Sequence, residues 1–506
     1  MTAVPEPEGN TRGLLKSMLV IASAQFATIA IRILRAKIMA MMLGPAGIGL
    51  LSIVYNFQQL GTQAAGLGLP MSGVRELAAT RADDTEVAQV RRVLIVALAL
   101  QGGLAMVAVW AMREPLAIWL MGEAGHVTQI GLVGVAMFLF LLASSQDTLL
   151  QGMRRIGDLG RVMVLGTLAG SIVGVLAIWI LGMDGLIWMI LAEALAVLIV
   201  AWFYARRLPL PDPGWLTPGE LLKRWWPMVR LGMVFMLGGL LTTATLLLVR
   251  TLITRELGLV AAGQFAAAWT ITMIYVGFML DAMAKDYYPR LTEVIDDQAA
   301  SSRLMNDQMH LALALGGPIL LLMIGLAPWA TWLLYSNEFG AAATLIQWQM
   351  AGNVFKLASW VLAFSFIAAR RGALFLGLEF LFNFLFLVVV FLGSSVVGLD
   401  IAGIAFLISY MAYFGLVMIF ANWKSGFRWQ SGPLKLFVLH VVLALTLLVV
   451  AQMNHSAGAA AGVILSLVTA FIGLHAVISR SGQHGRVVSR ISRAYAIIGW
   501  PVRSNR

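Results

Sequence analysis

Residues 162–205 read VMVLGTLAGSIVGVLAIWIL, then GMD, then GLIWMILAEALAVLIVAWFYA. Each flank has the ~20 residues that a helix needs to cross ~30 Å of hydrocarbon. Asp184 and Glu193 are the only charged side chains in the whole stretch. Three residues between the flanks leave room for a tight reversal and nothing more, so the segment is a transmembrane hairpin. Such runs succeed one another from residue 15 to residue 478. Of 506 residues, 60% are apolar and 12% charged, with a mean hydropathy of +0.87. A soluble domain lacks the polar cover to hide that much apolar surface. The runs show none of the period-2 alternation of a membrane β-barrel. The predicted fold is all-α: a polytopic membrane protein of about fourteen transmembrane helices.

The net charge of +11 belongs to topology, because the cations punctuate the apolar runs instead of covering one face. Alternate gaps carry nearly all of them: Arg81, Arg91 and Arg92, then Arg154 and Arg155, then Arg206 and Arg207, then Arg370 and Arg371. The opposite gaps hold only Arg113 and Arg255. Cationic loops stay in the cytoplasm, so both termini of this multi-pass membrane protein are expected there. No nucleic-acid partner is expected. The absence of cysteine removes disulfides and thiol chemistry. The six histidines show no ligand spacing, and no phosphate-cradling GK[ST] loop is present. Neither a metal, a cofactor nor ATP hydrolysis is expected.

Punctuation divides the chain. Residues 1–208 form a first six-helix lobe and 209–227 a cytoplasmic linker. There Thr217-Pro218-Gly219-Glu220 reads as a capping box opening a short helix that ends at Trp225-Trp226, suited to the interface. Residues 228–428 form a second six-helix lobe, 429–480 an additional helix pair, and 481–506 a basic amphipathic tail suited to anionic lipid. Leu43-Gly44 followed by Gly49 recurs 214 residues later as Leu257-Gly258 followed by Gly263. Duplicated halves of this kind make the two lobes pseudo-symmetric, with a substrate path between them.

A charge at mid-membrane is expensive unless it faces protein or water, so each one is a functional candidate. Counting from Gly44 at ~1.5 Å per residue, Arg35 lies ~13 Å and Arg32 ~18 Å inside the first span. Arg250 has the corresponding depth in the seventh span, and Lys356 sits near the middle of the tenth. Polar stripes accompany them: Asn56, Gln59 and Gln63 in the second span, Ser144, Asp147, Thr148 and Gln151 in the fourth, and Gln349, Asn353, Lys356 and Ser359 in the tenth. Snorkelling accounts for Lys37 and Arg255, and a polar stripe is equally consistent with interhelical contact. Taken together, Arg32, Arg35, Arg250 and Lys356 line a wet cationic cavity suited to an anionic head group, with Asn56, Gln59, Gln63, Gln349 and Asn353 as its polar lining. Glu193 and Glu379 each either carry a coupling proton or neutralise a membrane cation. Asp147 is placed near the inner surface beside Arg154 and Arg155, and Asp281 is expected to pair with Lys285.

Arg35-Ala36-Lys37 through Leu43-Gly44-Pro45-Ala46-Gly47-Ile48-Gly49-Leu50 resembles the opening of Wzx-type oligosaccharide (O-antigen or exopolysaccharide) flippases. So do Leu150-Gln151-Gly152-Met153-Arg154-Arg155-Ile156 and Gly182-Met183-Asp184-Gly185. Tyr288-Pro289-Arg290-Leu291 resembles the end of the eighth span in the wider superfamily of multidrug, oligosaccharidyl-lipid and polysaccharide exporters. The resemblance covers roughly the first 420 residues. It implies two six-helix lobes around a cationic cavity that opens alternately to each side. The cargo would be an undecaprenyl-pyrophosphate-linked oligosaccharide, moved from the cytoplasmic to the periplasmic leaflet by an ion gradient. Many such members stop at twelve spans, and fourteen is usual for lipid II flippases, yet the Asp-Ala-Phe element of the latter is missing from the second span. The alternatives are therefore a lipid II flippase, a multidrug or cation antiporter, and a membrane glycan polymerase or ligase. The antiporter calls for an acidic or aromatic cavity. The enzyme calls for a large outer loop, and the longest here is 112–126. The chain is expected to be a monomer and not an enzyme. Its partners would be the lipid-linked oligosaccharide, membrane lipids, and the polysaccharide polymerase and chain-length machinery.

Overall fold

Long apolar runs without strand propensity become helices. Among the described residues there are fourteen α-helices and no strand. The computed structural model describes residues 8–123, 125–212, 214, 216–481, 492, 495 and 497. In order the helices are α1 (Glu8–Gly66), α2 (Leu69–Ala79), α3 (Asp84–Ala111), α4 (Arg113–Met121), α5 (Val127–Gly152), α6 (Ile156–Leu181) and α7 (Gly185–Ala205). They continue with α8 (Pro218–Val294), α9 (Gln298–Leu334), α10 (Gly340–Ala368), α11 (Gly372–Val397), α12 (Ile401–Ser425), α13 (Ser431–Met453) and α14 (His455–Ser481).

Ten helical stretches among the described residues are long and apolar enough to cross a membrane. Four of them run to 42–54 residues, twice what one crossing needs. Each of the four is interrupted. Non-helical Gly44 breaks α1 and non-helical Gly258 breaks α8. The 3-10 turns Gly182–Asp184 and Gly398–Asp400 separate α6 from α7 and α11 from α12. Ten stretches thus supply fourteen crossings, at the positions the apolar runs predict. The chain is a multi-pass membrane protein.

The repeat goes deeper than its glycines. Positive φ occurs at Gly44 and Gly258, 214 residues apart, and at Arg154 with Arg370 and Gly182 with Gly398, each pair 216 apart. The arginine turns close with the same bonds. Arg155 N donates to Leu150 O at 2.8 Å, and Arg371 N to Phe366 O at 2.7 Å. Both are the six-to-one closure of a Schellman helix end, here with arginine in the left-handed position.

Three elements differ from expectation, the first being the short helix expected to end at Trp225-Trp226: α8 runs from Pro218 past both tryptophans without a break before Gly258. The second span, predicted as one helix over 46–78, ends at Gly66, and α2 begins at Leu69. Leu67 and Gly68 both have positive φ, and Pro70 suits the opening of a new helix. A Cβ on Gly68 would lie 2.0 Å from Gly232 O, so the break permits a backbone contact that no other residue allows. The loop 112–126 contains the nine-residue α4.

The capping box forms as read. Glu220 N donates to Thr217 Oγ1 at 3.3 Å, and Thr217 N donates to Glu220 Oε2 at 2.7 Å. Hydrogen bonds from Thr217 hold the Glu220 carboxyl below its ordinary pKa.

The chain divides into two compact units. The first comprises residues up to Gly263 with Leu334–Ser336, and the second Gln264–Leu333 with the chain from Asn337 onward. In the first, α5 packs on α3 and α7, and α6 lies against α7 and α1. In the second, α10 packs on α12 and α13. The added helix α14 meets α9 through glycines, since a Cβ on Gly325 would lie 2.6 Å from Gly458 O and 2.8 Å from Gly462 Cα. Small residues let membrane helices approach this closely and gain dispersion contact. Gly462→Val is expected to detach α14, exposing its inner face to protease while α1–α7 keep their resistance. Uniform resistance in the variant would refute this docking. The expected Asp281–Lys285 pair and the basic face of the tail fall outside the described side chains.

Candidate functional site

Along α1, Arg32 and Arg35 stand three residues apart and share a face. On the far side of the Gly44 kink, Tyr55 returns to the same depth. Glu193, the one charge in its span, comes from α7. Gly170 of α6 lets α7 approach, because a Cβ there would sit 2.5 Å from Glu193 Cα. These choices bring four side chains together. Arg35 Nη1 donates to Glu193 Oε2 at 2.6 Å, and the Tyr55 hydroxyl donates to the same oxygen. Arg32 Nη2 stands 3.9 Å from Glu193 Oε1. Arg35 and Glu193 are buried, at 11% and 5% side-chain exposure, whereas Arg32 is 58% exposed. One carboxylate therefore binds Arg35 closely and Arg32 only at the limit of an ion pair, leaving most of the Arg32 guanidinium facing outward.

It faces a cavity of about 550 Å³. Arg32, Gln58, Gln59, Gln63, Ser144 and Asp147 supply its polar wall, and Phe140, Leu141, Val197 and Met236 much of the rest. Gln59 and Gln63 are where the sequence places them. Asn56 lies one turn behind, buried, with its Oδ1 unpartnered. Asp147 stands with Ser144, as the fourth-span stripe predicts, and not with Arg155, its expected neighbour at the inner surface. It lines this cavity, and its Oδ1 has no hydrogen-bond partner. Arg155 turns away to Asp158 at 2.6 Å, where Arg161 joins it at 2.8 Å. The left-handed turn at Arg154 starts that departure by ending α5.

Arg250 is fully enclosed. Its Nη1 donates to the Ser52 carbonyl at 2.9 Å, and its Nε has no partner. It ties α8 to the second half of α1 and does not line the Arg32 cavity. In the second unit, Lys356 of α10 has its ammonium 5.4 Å from the centre of the Tyr410 ring and 3.7 Å from Met273 Sδ. Glu379 of α11 accepts from the Tyr413 hydroxyl at 2.7 Å. Gln349 accepts from Thr272 at 2.8 Å, and Asn353 donates to the Gln349 carbonyl at 2.8 Å. Both amides are fully buried; the Gln349 bond joins α10 to α8, while the Asn353 bond stays within α10. The first unit thus holds two arginines, a tyrosine and a glutamate together, and the second a lysine, two tyrosines and a glutamate.

A family model described as polysaccharide biosynthesis protein matches residues 14–294, more than half of the chain. The chain belongs to this family. Among curated proteins, this family member is similar to the lipid III flippase of Escherichia coli (strain K12), at 26% identity over 377 residues, covering 70% of this chain and 85% of that one. Among solved structures it is similar to the lipid II flippase MurJ in an inward closed conformation, with a TM-score of 0.68 and 11% identity, over 91% of this chain and 100% of that one. It also resembles an inward-facing multidrug resistance transporter of the MATE family, of the MOP superfamily. There the TM-score is 0.66 at 16% identity, over 79% and 94% of the two chains. At these identities the structural likeness shows the fold.

Two site features of this polysaccharide biosynthesis family member escape a sequence reading. Tyr55 carries no signal, since a tyrosine in an apolar span is ordinary. Gln58 lies off the Asn56–Gln59–Gln63 stripe and still reaches the cavity, because a wide cavity sees more than one helix face.

Proposed function

We propose that the protein is a flippase that passes an undecaprenyl-pyrophosphate-linked oligosaccharide from the cytoplasmic to the periplasmic leaflet of the bacterial inner membrane. It works as a transporter by alternating access, coupled to an ion gradient. The observation that carries the proposal is the exposed Arg32 guanidinium, the one cation among the described residues of a cavity lined also by amides, hydroxyls, apolar groups and the less exposed carboxylates of Glu193 and Asp147. A guanidinium grips phosphate oxygens through two donors, while amides and hydroxyls suit a sugar. The family match and the flippase relative agree with this cargo. A cavity whose most exposed charge is cationic does not suit cationic drugs.

In this reading Arg32 takes the pyrophosphate and Arg35 holds the carboxylate that orients it. Arg250 and Lys356 contribute positive potential from their buried positions, and Gln59 and Gln63 contact the sugar. Glu193, Glu379 and Asp147 are the carboxylates available for ion coupling. Losing one charge-assisted contact costs ~1.5–3 kcal/mol, roughly ten- to a hundredfold in binding. Arg32→Ala is accordingly expected to lower surface glycan output per inserted molecule about tenfold or more, with Arg32→Lys recovering only part. Normal output from Arg32→Ala, with Arg250→Ala and Lys356→Ala also normal, would remove the cationic-cavity reading.

Both termini lie in the cytoplasm in this arrangement. Cysteines introduced at Asp184, Glu338 and His455 are expected to react with an impermeant maleimide added outside intact cells, and those at Arg207 and Arg371 are not. The native chain has no cysteine to confuse the readout. Protection at 338 beside reaction at 371 would invert the second half.

A further inference from the structure

Outside the Arg32 cavity, the start of α8 separates two adjoining hollows of the first unit. On one side Leu221, Leu222 and Trp225 face Ala97, Leu100 and Leu104 of α3 across an apolar groove of about 320 Å³. Leu100, Leu104 and Leu222 on its rim are 64%, 71% and 59% exposed. Apolar exposure of this extent on a membrane protein faces lipid. The polar groups in the groove satisfy each other when the Gln101 amide accepts from Trp225 Nε1 at 3.1 Å and donates to Ala65 O at 3.1 Å. Its wall is therefore effectively hydrocarbon.

On the other side of the same helical turn, Lys223 and Arg224 face Ser72, Arg75 and Glu76 of α2 across a hollow of about 550 Å³. Val93 of α3 lines both spaces, so the two hollows adjoin at the start of α8. Arg224 is held in place by Glu86, through bonds of 2.7 and 3.2 Å. Lys223 and Arg75 make none of the ion pairs formed among the described residues. Glu76, Glu86 and Glu220 all stand near Arg224, so Arg75 and Lys223, which line the hollow from α2 and α8, are the cations available to a phosphodiester.

We propose that this paired hollow is a binding site for an anionic phospholipid, with the phosphodiester between Arg75 and Lys223 and one acyl chain in the groove between α3 and α8. Basic pockets between membrane helices on the cytoplasmic side hold anionic lipid heads in this way. The site lies at the charge-rich end of the spans, and it stands whether or not the Arg32 cavity moves a glycan. A lipid seated there braces the first turns of α8 against α3 and joins the interfacial end of α8 to the leaflet.

The test uses the purified full chain and native mass spectrometry with phosphatidylglycerol or phosphatidylcholine added. Phosphatidylglycerol adducts are expected to survive at least fivefold better than phosphatidylcholine adducts. The double variant Arg75→Gln/Lys223→Gln is expected to abolish that preference, and Arg81→Gln, an exposed charge outside the hollow, is expected to keep it. Leu104→Gln, on the exposed rim where folding tolerates change, is expected to weaken retention without altering the head-group preference. Equal retention of both lipids by the native chain would overturn the proposal. So would a double variant that still prefers phosphatidylglycerol. Displacement of phosphatidylglycerol by an equimolar polyprenyl diphosphate would also overturn it, by assigning the hollow to a carrier lipid instead.

Discussion

Glu193→Ala is expected to destabilise the protein by ~3–5 kcal/mol, the penalty of leaving a buried charge without its partner. Arg35→Ala should do the same from the other side, because Glu193 would keep only the Tyr55 hydroxyl and the more distant Arg32. The double variant Arg35→Met/Glu193→Leu removes both charges while filling the space, and is expected to recover most of the loss. A residue of ~1–3 kcal/mol should remain for the unpaired Tyr55 hydroxyl. Thermal unfolding in detergent reads all three. A double variant no more stable than either single would show that the pair is not the stabilising unit. The same set separates structure from coupling. Glu193→Gln and Glu379→Gln each keep a hydrogen-bonding side chain and lose the charge. If either carboxylate carries the coupling ion, its glutamine variant will transport with little dependence on the pH gradient. Wild-type dependence in both leaves Asp147, whose Oδ1 has no partner, as the remaining carboxylate of the cavity.

Why the sequence speaks clearly about crossings and less clearly about the site has a physical basis. A lipid-facing run announces itself residue by residue, because each charge within it is costly. The fourteen crossings follow from that local rule. The same rule flags Arg32, Arg35, Arg250, Lys356, Glu193 and Glu379 one at a time. It cannot say which of them meet, because partners come from helices far apart in the chain. Arg35 and Glu193 are 158 residues apart, and nothing in the apolar pattern between them fixes how α7 is rotated. Depth was readable, but azimuth was not. Arg250 and Arg32 show the result. Both were placed at mid-depth, yet Arg250 turns to a backbone carbonyl and Arg32 to a cavity. The second span illustrates another limit. Its hydropathy runs on past Gly66 without a dip, so only the Leu67-Gly68-Leu69-Pro70 turn chemistry marked the break.

The repeated glycines carry the last expectation. Gly49 and Gly263 occupy equivalent places after the two kinks, and in the first unit they meet. A Cβ on Gly263 would lie 1.8 Å from Pro45 O, and one on Gly49 would lie 2.1 Å from Leu259 O. At the other end of the same helices Gly68 meets Gly232, where a Cβ on Gly232 would lie 2.6 Å from Leu67 O. The cavity residues Gln58, Gln59, Thr62 and Gln63 of α1, and Met236 and Gly239 of α8, fall between these crossings. At ~1.5 Å per residue, Gly49 on α1 and Gly68 just past its end are about 28 Å apart. Backbone atoms cannot step aside as a side chain can, so a methyl at either crossing must part the helices at that end. Forced overlap of this kind costs ~1–3 kcal/mol, roughly ten- to a hundredfold in the population of the closed end. With Gln59→Cys as a reporter in the cavity, Gly263→Ala is expected to speed maleimide labelling from the periplasmic side by about tenfold or more. Gly232→Ala should speed it from the cytoplasmic side instead, which inverted vesicles would read. Gly263→Ala is used because its own φ is ordinary, and Gly232→Ala is preferred to Gly68, whose φ of +69° would add strain of its own. If both variants speed labelling from one face only, or neither changes it while both insert normally, the crossings are not the two closures of the path. If the faces separate as expected, glycine–glycine contacts close the cavity at either end.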